Sequence, residues 1–375
     1  MSSSLNDLLR SDLRGRTAYG APQLDVAVAL NTNENSYAVP QAVVDAIVAS
    51  VAQLASGLNR YPDREFLRLR EDLASYLRAT TGVGVTADQV WAGNGSNEVL
   101  LHILQAFGGP GRVALGFTPA YSMHPIITRT VGTRWVDGRR GIEGAGAFDL
   151  DVSSAVAQVR QHKPDIVFLC SPNNPTGTAL GLDVVQAVYA AAPQAIVVVD
   201  EAYAEFARAG TASAMTLLRG RERLVVTRTM SKAFALAGGR LGYLAADAEL
   251  TQALRLVRLP YHLSALTQAV ACAALEHADA LLATVEYLKT ERDTIVTELT
   301  GMGLDPVPSD ANFVLFGGLI DERITWQVLL DQGILVRDVG LAHHLRVTAG
   351  TPQETRVFLE AMRRLAPTHR QEQLR

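Results

Sequence analysis

The chain has 375 residues, 48% of them hydrophobic, with a net charge of −4 and a pI near 6.1. That length and apolar share suit one large or two ordinary globular domains, and the slightly acidic balance gives no electrostatic case for nucleic acid or an anionic membrane. Cys170 and Cys272, the only cysteines, are too few for a disulfide framework or a cysteine metal cluster, and neither a signal peptide nor the ~18 apolar residues of a membrane span is visible, so a cytoplasmic protein is expected.

Residues 1–35 read as a polar arm, carrying Tyr19-Gly20-Ala21-Pro22 and then Asn31-Thr32-Asn33-Glu34-Asn35. Such an arm frays unless it docks. Residues 41–56 have helical periodicity through Val43, Val44, Ile47, Val48 and Val51. The turn Asn59-Arg60-Tyr61-Pro62-Asp63 separates them from a second helix bearing Leu67, Leu69, Leu73 and Leu77. Gln89-Val90-Trp91-Ala92 reads as a short strand, followed by Gly93-Asn94-Gly95-Ser96-Asn97-Glu98 and an apolar helix over 99–107. Strand, glycine turn and helix make a phosphate-binding arrangement, because glycine lets backbone N–H groups approach an anion that the helix N-terminus favours. A plain helix cap has the same composition, and Glu98 stands where a dinucleotide fingerprint needs its third glycine.

Residues 112–116 read as a strand leading to Phe117-Thr118-Pro119-Ala120-Tyr121. Asp165-Ile166-Val167-Phe168-Leu169-Cys170 is a continuous apolar run, as a strand buried on both faces requires, and ends in Ser171-Pro172-Asn173-Asn174-Pro175-Thr176-Gly177. Ala195-Ile196-Val197-Val198-Val199 repeats the pattern and ends in Asp200-Glu201-Ala202-Tyr203. Leu224-Val225-Val226 is the next such run, ahead of Thr229, Ser231 and Lys232. Three buried strands thus carry polar chemistry past their carboxyl ends, where an open parallel sheet binds its ligands. Beyond residue 267 come two long helices, over 267–282 and 284–300, then a strand over 312–316, a helix around 326–330, and alternating strands over 333–337 and 345–348. This is read as a smaller α+β unit packed with the N-terminal arm.

Only three lysines occur. Lys163 lies in a polar turn and Lys289 in a charged helix, whereas Lys232 follows an apolar strand and is flanked by hydroxyls and Arg240. Desolvation there lowers an amine's pKa towards that of a nucleophile. The eight histidines are scattered and read as ordinary surface or core residues; no zinc motif, nucleophile elbow or Walker loop is present.

Taken singly, Asp200 could be a helix cap, Asn174 part of a turn and Arg240 a surface pair. In this order they resemble the fold-type-I aminotransferases that use pyridoxal phosphate, and the resemblance runs from Asn33 to Arg346. It implies an α/β large domain with a mostly parallel seven-stranded sheet covered by helices, plus a smaller α+β C-terminal domain. The division expected is arm 1–35, large domain 36–262 and small domain 263–375. It implies that Lys232 carries the cofactor covalently and moves the substrate proton, and that Asp200 faces the cofactor's ring nitrogen. Asn174 and Tyr203 would meet its phenolic oxygen, and Tyr121 its ring face. Gly95, Ser96, Thr229, Ser231 and Arg240 would hold its phosphate. No metal is expected.

Asn31-Thr32-Asn33-Glu34-Asn35, Arg60-Tyr61-Pro62-Asp63, the run from Ser231-Lys232 to Gly238, and Ile334-Leu335-Val336-Arg337-Asp338 with Leu345-Arg346-Val347-Thr348 narrow the resemblance to the histidinol-phosphate aminotransferase family, although Ser36 stands where that family commonly has proline. This implies conversion of L-histidinol phosphate and 2-oxoglutarate to imidazole-acetol phosphate and glutamate. Substrate would be held by Tyr19, Asn97, Tyr261, Arg337 and Arg346. A homodimer is implied, with Tyr61 reaching the partner's cofactor phosphate. Transamination of phenylalanine or another aromatic amino acid, and decarboxylation of phosphothreonine, would use the same cofactor residues. A ligand-sensing module of a transcription regulator would need a DNA-binding domain, for which the net negative charge gives no support.

Overall fold

The computed structural model describes residues 5–141 and 148–371. Its helices are α1 (Leu5–Leu8), α2 (Gln41–Ala55), α3 (Leu67–Thr81), α4 (Ser96–Phe107), α5 (Met123–Thr130), α6 (Val152–His162), α7 (Leu182–Ala191), α8 (Ala248–Leu254), α9 (Ala265–Glu276), α10 (Ala278–Gly301), α11 (Glu322–Asp331) and α12 (Pro352–His369). Its strands are β1 (Val28–Ala29), β2 (Val90–Asn94), β3 (Val113–Thr118), β4 (Arg134–Arg139), β5 (Ile166–Cys170), β6 (Ile196–Asp200), β7 (Leu224–Thr229), β8 (Leu241–Ala245), β9 (Asp305–Pro306), β10 (Phe313–Gly317), β11 (Ile334–Leu335), β12 (Arg337–Asp338) and β13 (Leu345–Thr348).

The main sheet has seven strands in the order β2-β8-β7-β6-β5-β3-β4. Every strand but β8 points the same way; β8 runs antiparallel to both its neighbours. The centre is built from the uninterrupted runs foreseen from composition, and all five residues of β5 are buried. Helices on both faces leave no solvated side, so alternation disappears and β-branched residues fill the layer. Two strands are absent from the sequence reading. β4 is half-exposed and mixed in character, and β8 follows the Gly238-Gly239 pair so closely that its run merges with the turn before it.

A second, antiparallel sheet has the order β12-β13-β10-β9. The single strand expected over 333–337 is two. β11 pairs in parallel with β1, whereas β12 pairs with β13 in a register that sets Arg337 opposite Arg346. Val336 divides them, its carbonyl taken by Trp326 Nε1 at 2.8 Å. The arm does dock: Val28 pairs with Ile334, Leu30 is buried, and the Leu30 carbonyl accepts from Thr348 N–H at 2.9 Å. The two long helices break at His277 rather than at residue 283, because His277 leaves the helical region at φ −117°. Among the described residues no helix is long and apolar enough to cross a membrane.

Candidate active site

The carboxyl ends of β3, β5, β6 and β7 open on a cavity of about 370 Å³. Its walls include Tyr19, Ser96, Asn97, Tyr121, Asn174, Asp200, Tyr203, Thr229, Ser231, Lys232, Arg240, Arg337 and Arg346, with Asn31 to Glu34 of the arm across the mouth. Strand register explains much of this gathering. Cys170, Asp200 and Thr227 are consecutive Cα partners across β5, β6 and β7, which brings the residues after each strand to one edge.

Lys232 Nζ donates to the Thr32 carbonyl at 3.0 Å. Burial pulls its pKa down to about 8, assisted by the positive charges of Arg346 and Arg240 and opposed by Glu34. Asp200 is 2% exposed and both its oxygens are engaged: Oδ1 accepts from Thr227 Oγ1 at 3.1 Å, and Oδ2 meets His124 Nε2 at 2.9 Å. His124 is itself buried, stacked on Phe168 with Tyr121 edge-on. Tyr203 Oη accepts from Asn33 Nδ2 at 3.0 Å and Asn174 Nδ2 at 3.4 Å, and burial raises its pKa to about 12. Tyr121 Oη donates to Asn97 Oδ1 at 3.2 Å.

Arg346 is buried at 6% exposure. Nη1 donates to Asn174 Oδ1 at 2.6 Å and Nη2 to the Asn31 carbonyl at 2.7 Å, while the buried Nε has no partner. Burial lowers its pKa to about 10, so it remains a cation at neutral pH. Arg337 lies beside it with its guanidinium over the Tyr19 ring at 5.9 Å. Two cations with spare donors at one wall suit an anion with several acceptor oxygens.

A second anion corner lies at the N-terminus of the twelve-residue helix α4. Gly95 has φ +82°, and a Cβ there would collide with the Arg240 guanidinium; one on Gly242 would collide with the backbone of Gly95 and Ser96. Arg240 donates to Ser231 Oγ at 3.4 Å and the Ala237 carbonyl at 3.1 Å, and meets no carboxylate within ion-pair distance among the described residues. A helix N-terminus, bare backbone and an uncompensated arginine form a cradle for a phosphate.

A model of the family "Aminotransferase class I and II" matches residues 26–362. The chain belongs to the class I and II aminotransferases. It is 63% identical to a histidinol-phosphate aminotransferase of Paenarthrobacter aurescens over 95% of this chain and 94% of that one. It is 58% identical to one of Thermobifida fusca over 96% of each. Among solved structures, the Sinorhizobium meliloti histidinol-phosphate aminotransferase in complex with pyridoxal-5'-phosphate is similar at a TM-score of 0.81 and 26% identity, over 92% of this chain and 91% of that one. Thermus thermophilus aspartate aminotransferase with maleate is similar at a TM-score of 0.77 and 26% identity, over 91% and 92%. The fold is that of the fold-type-I enzymes.

Two residues singled out in the sequence of this aminotransferase lie elsewhere. Tyr61 and Tyr261 stack on each other with centroids 4.5 Å apart, and neither lines the cavity. Tyr61 is 80% exposed. Conversely, sequence reasoning passed over His124 and Thr227, and it took the arm from Asn31 to Asn33 as a mark of the family without placing it against Lys232, Tyr203 and Arg346. The histidines read as unremarkable because nothing in the local pattern of α5 distinguishes His124; only the fold brings it to Asp200. The signal that could have found it is Tyr121, three residues earlier at the same strand end. The arm's carbonyls carry no residue-type signature, since any residue supplies one.

Proposed function

We propose that the chain transfers the amino group of L-histidinol phosphate to 2-oxoglutarate with pyridoxal phosphate as cofactor, yielding imidazole-acetol phosphate and glutamate. Relatives bearing that activity in their names at 63% and 58% identity support it. The observation that carries it within the structure is Arg346, buried beside Arg337 with an unpartnered Nε at the same cavity as Lys232.

The residues fit the cofactor. Ser96 N–H, Ser231, Thr229 and Arg240 would hold its phosphate in the corner that Gly95 and Gly242 keep open. Asp200, fixed by His124 and Thr227, would accept from its ring N–H; Tyr203 and Asn174 would meet the phenolic oxygen; and Tyr121 would cover the ring. Bound there, the cofactor supplies an electron sink for the pair left when the substrate's Cα–H bond breaks. Lys232, its pKa drawn to about 8, takes that proton and returns it, as a base matched to near-neutral pH should. Arg346 and Arg337 hold the substrate's phosphate, and in the other half-reaction they take a carboxylate of glutamate. Tyr19, Asn97 and Tyr121 offer hydroxyls, an amide and ring faces to an imidazole. An apolar aromatic substrate would leave those polar groups unpaired.

The same reading makes the chain a cytoplasmic homodimer, divided into arm 1–35, large domain 36–262 and small domain 263–375. It seats Tyr61 in the partner's site and Tyr261 at the substrate. The exposure of Tyr61, Leu256 and Leu259, at 80%, 87% and 76%, supports an apolar face awaiting a second copy. The deciding experiment assays purified protein with 2-oxoglutarate against histidinol phosphate, histidinol, phenylalanine and phosphothreonine, with products identified. Preference for histidinol phosphate is the expected result. Phenylalanine proving better would install the aromatic aminotransferase, and carbon dioxide release from phosphothreonine the decarboxylase.

A further inference from the structure

Arg140, the residue after β4, is 4% exposed. Its guanidinium donates to three main-chain carbonyls: Nε to Phe117 at 3.1 Å, Nη1 to Phe148 at 3.3 Å and Nη2 to Cys170 at 3.3 Å. Its backbone N–H donates to the Thr118 carbonyl at 3.1 Å. No carboxylate of the described residues comes within ion-pair distance of it. Burying a cation is costly, and main-chain carbonyls repay it only if the fork of donors reaches all of them together.

We infer that Arg140 is a positioning residue of the active site, locking together the carboxyl ends of β3 and β5 and so setting where Tyr121 and Asn174 stand. Phe117 lies in β3 four residues before Tyr121, and Cys170 ends β5 four residues before Asn174. The two intervening loops are tied to each other as well, because Asn173 Nδ2 donates to the Pro119 carbonyl at 3.0 Å. Beyond that tie Tyr121 reaches Asn97 and packs against His124, the partner of Asp200, while Asn174 receives Arg346 Nη1. Arg140 makes no hydrogen bond to any of these side chains; it fixes the two strand ends from which they hang. A lysine would keep the charge without the fork, and its single ammonium cannot meet carbonyls on three segments in one plane.

The inference rests on the proposed function in one respect: Tyr121 and Asn174 must face cofactor and substrate for Arg140 to matter to them. Arg140→Lys and Arg140→Met are compared with Leu299→Ala, a buried control in α10. The measurements are melting temperature, pyridoxal phosphate affinity by absorbance titration, KM and kcat for histidinol phosphate at saturating cofactor, and hydrogen exchange without cofactor. For Arg140→Lys, KM and cofactor Kd should each rise about tenfold, in line with the cost of small misplacements at a reacting site. Hydrogen exchange should quicken selectively over residues 118–124 and 171–176. Leu299→Ala should lose stability yet keep both constants within about twofold, since Leu299 lines no part of the cavity. Arg140→Met should exceed Arg140→Lys; if it does not fold, Arg140→Lys decides alone. Constants unchanged in Arg140→Lys, or exchange accelerated uniformly as in the control, would overturn the inference. Wild-type protein that binds no pyridoxal phosphate would instead sink the function, and the selective exchange would still decide the lock.

Discussion

Lys232 differs from the other two lysines in what surrounds it. Lys163 is exposed at a helix end, and Lys289 pairs with Glu286 at 2.8 Å, whereas Lys232 donates to the Thr32 carbonyl and meets no carboxylate within ion-pair distance among the described residues. Borohydride reduction of the protein with pyridoxal phosphate, then peptide mapping, should therefore label Lys232; a label on Lys163 or Lys289 would remove the basis of the site. The sign of the pH dependence follows from burial. A folded pKa drawn down to about 8 from the ordinary 10.5 leaves the amine charged below that point, and the neutral nucleophile appears as pH rises through it. Labelling of the cofactor-free protein should accelerate with an inflection near pH 8, two units or more before that of an exposed lysine. His124 is the second residue to test. His124→Phe keeps a ring against Phe168 but removes the partner of Asp200 Oδ2. Losing one hydrogen bond to a charged group costs about 1.5–3 kcal/mol, or roughly 10- to 150-fold in kcat/KM. Activity within twofold of wild type would show that Thr227 alone positions the carboxylate.

Among the elements, β8 shows how sheet topology serves the site. It enters antiparallel between β2 and β7, and Gly242 on it lies opposite both Gly93 and Thr229. Only a hydrogen at that Cα lets the turn at Gly95 and Ser96 lie against the strand. Gly242→Ala must displace that backbone, so cofactor affinity should fall by about tenfold or more and the melting temperature should fall with it, because overpacking a buried strand paired on both sides costs about 1–3 kcal/mol. Equal losses of affinity in Gly84→Ala, where added bulk meets open space away from the cavity, would refute the steric account. The glycine turn before α4 was legible in the sequence as a phosphate corner, since strand, glycines and helix follow in direct succession. The opposing Gly242 was not, because its partner lies some 150 residues away in the chain, by the register of β2 with β8.

At the scale of the molecule, Arg346 joins three parts. From the four-stranded sheet it reaches Asn174 on the loop after β5 and the Asn31 carbonyl of the arm. Arg346→Ala should lower kcat/KM for histidinol phosphate and glutamate alike, as both anions use it. On wild-type protein, histidinol should be far poorer than its phosphate, since leaving desolvated arginines unpaired costs roughly 2–5 kcal/mol. Equal rates for histidinol and its phosphate would argue that the arginine pair binds something other than the phosphate. Sharing of sites between two copies is tested by mixing Tyr61→Phe with Lys232→Ala subunits. A shared site gathers both defects in one half of the hybrid and restores the other, so activity should exceed that of either parent; proven hybrids without recovery would contradict it.

The sequence by itself determined the kind of fold and the local chemistry of the strand ends. Apolar runs of strand length, each followed by Asn174, Asp200 or Lys232, announce a buried parallel sheet and its reactive edge, because burial on both faces and polar residues beyond it are local properties of the chain. Tertiary structure decided which distant groups complete that edge. His124 meets Asp200 across 76 residues, Thr32 offers a carbonyl to Lys232 across 200, and Asn33 reaches Tyr203 across 170. The stacking of Tyr61 on Tyr261, outside the cavity, was settled in the same way. Such pairings depend on strand register and on the docking of the arm, and a carbonyl or a lone histidine carries no periodicity from which a partner so far along the chain could be read.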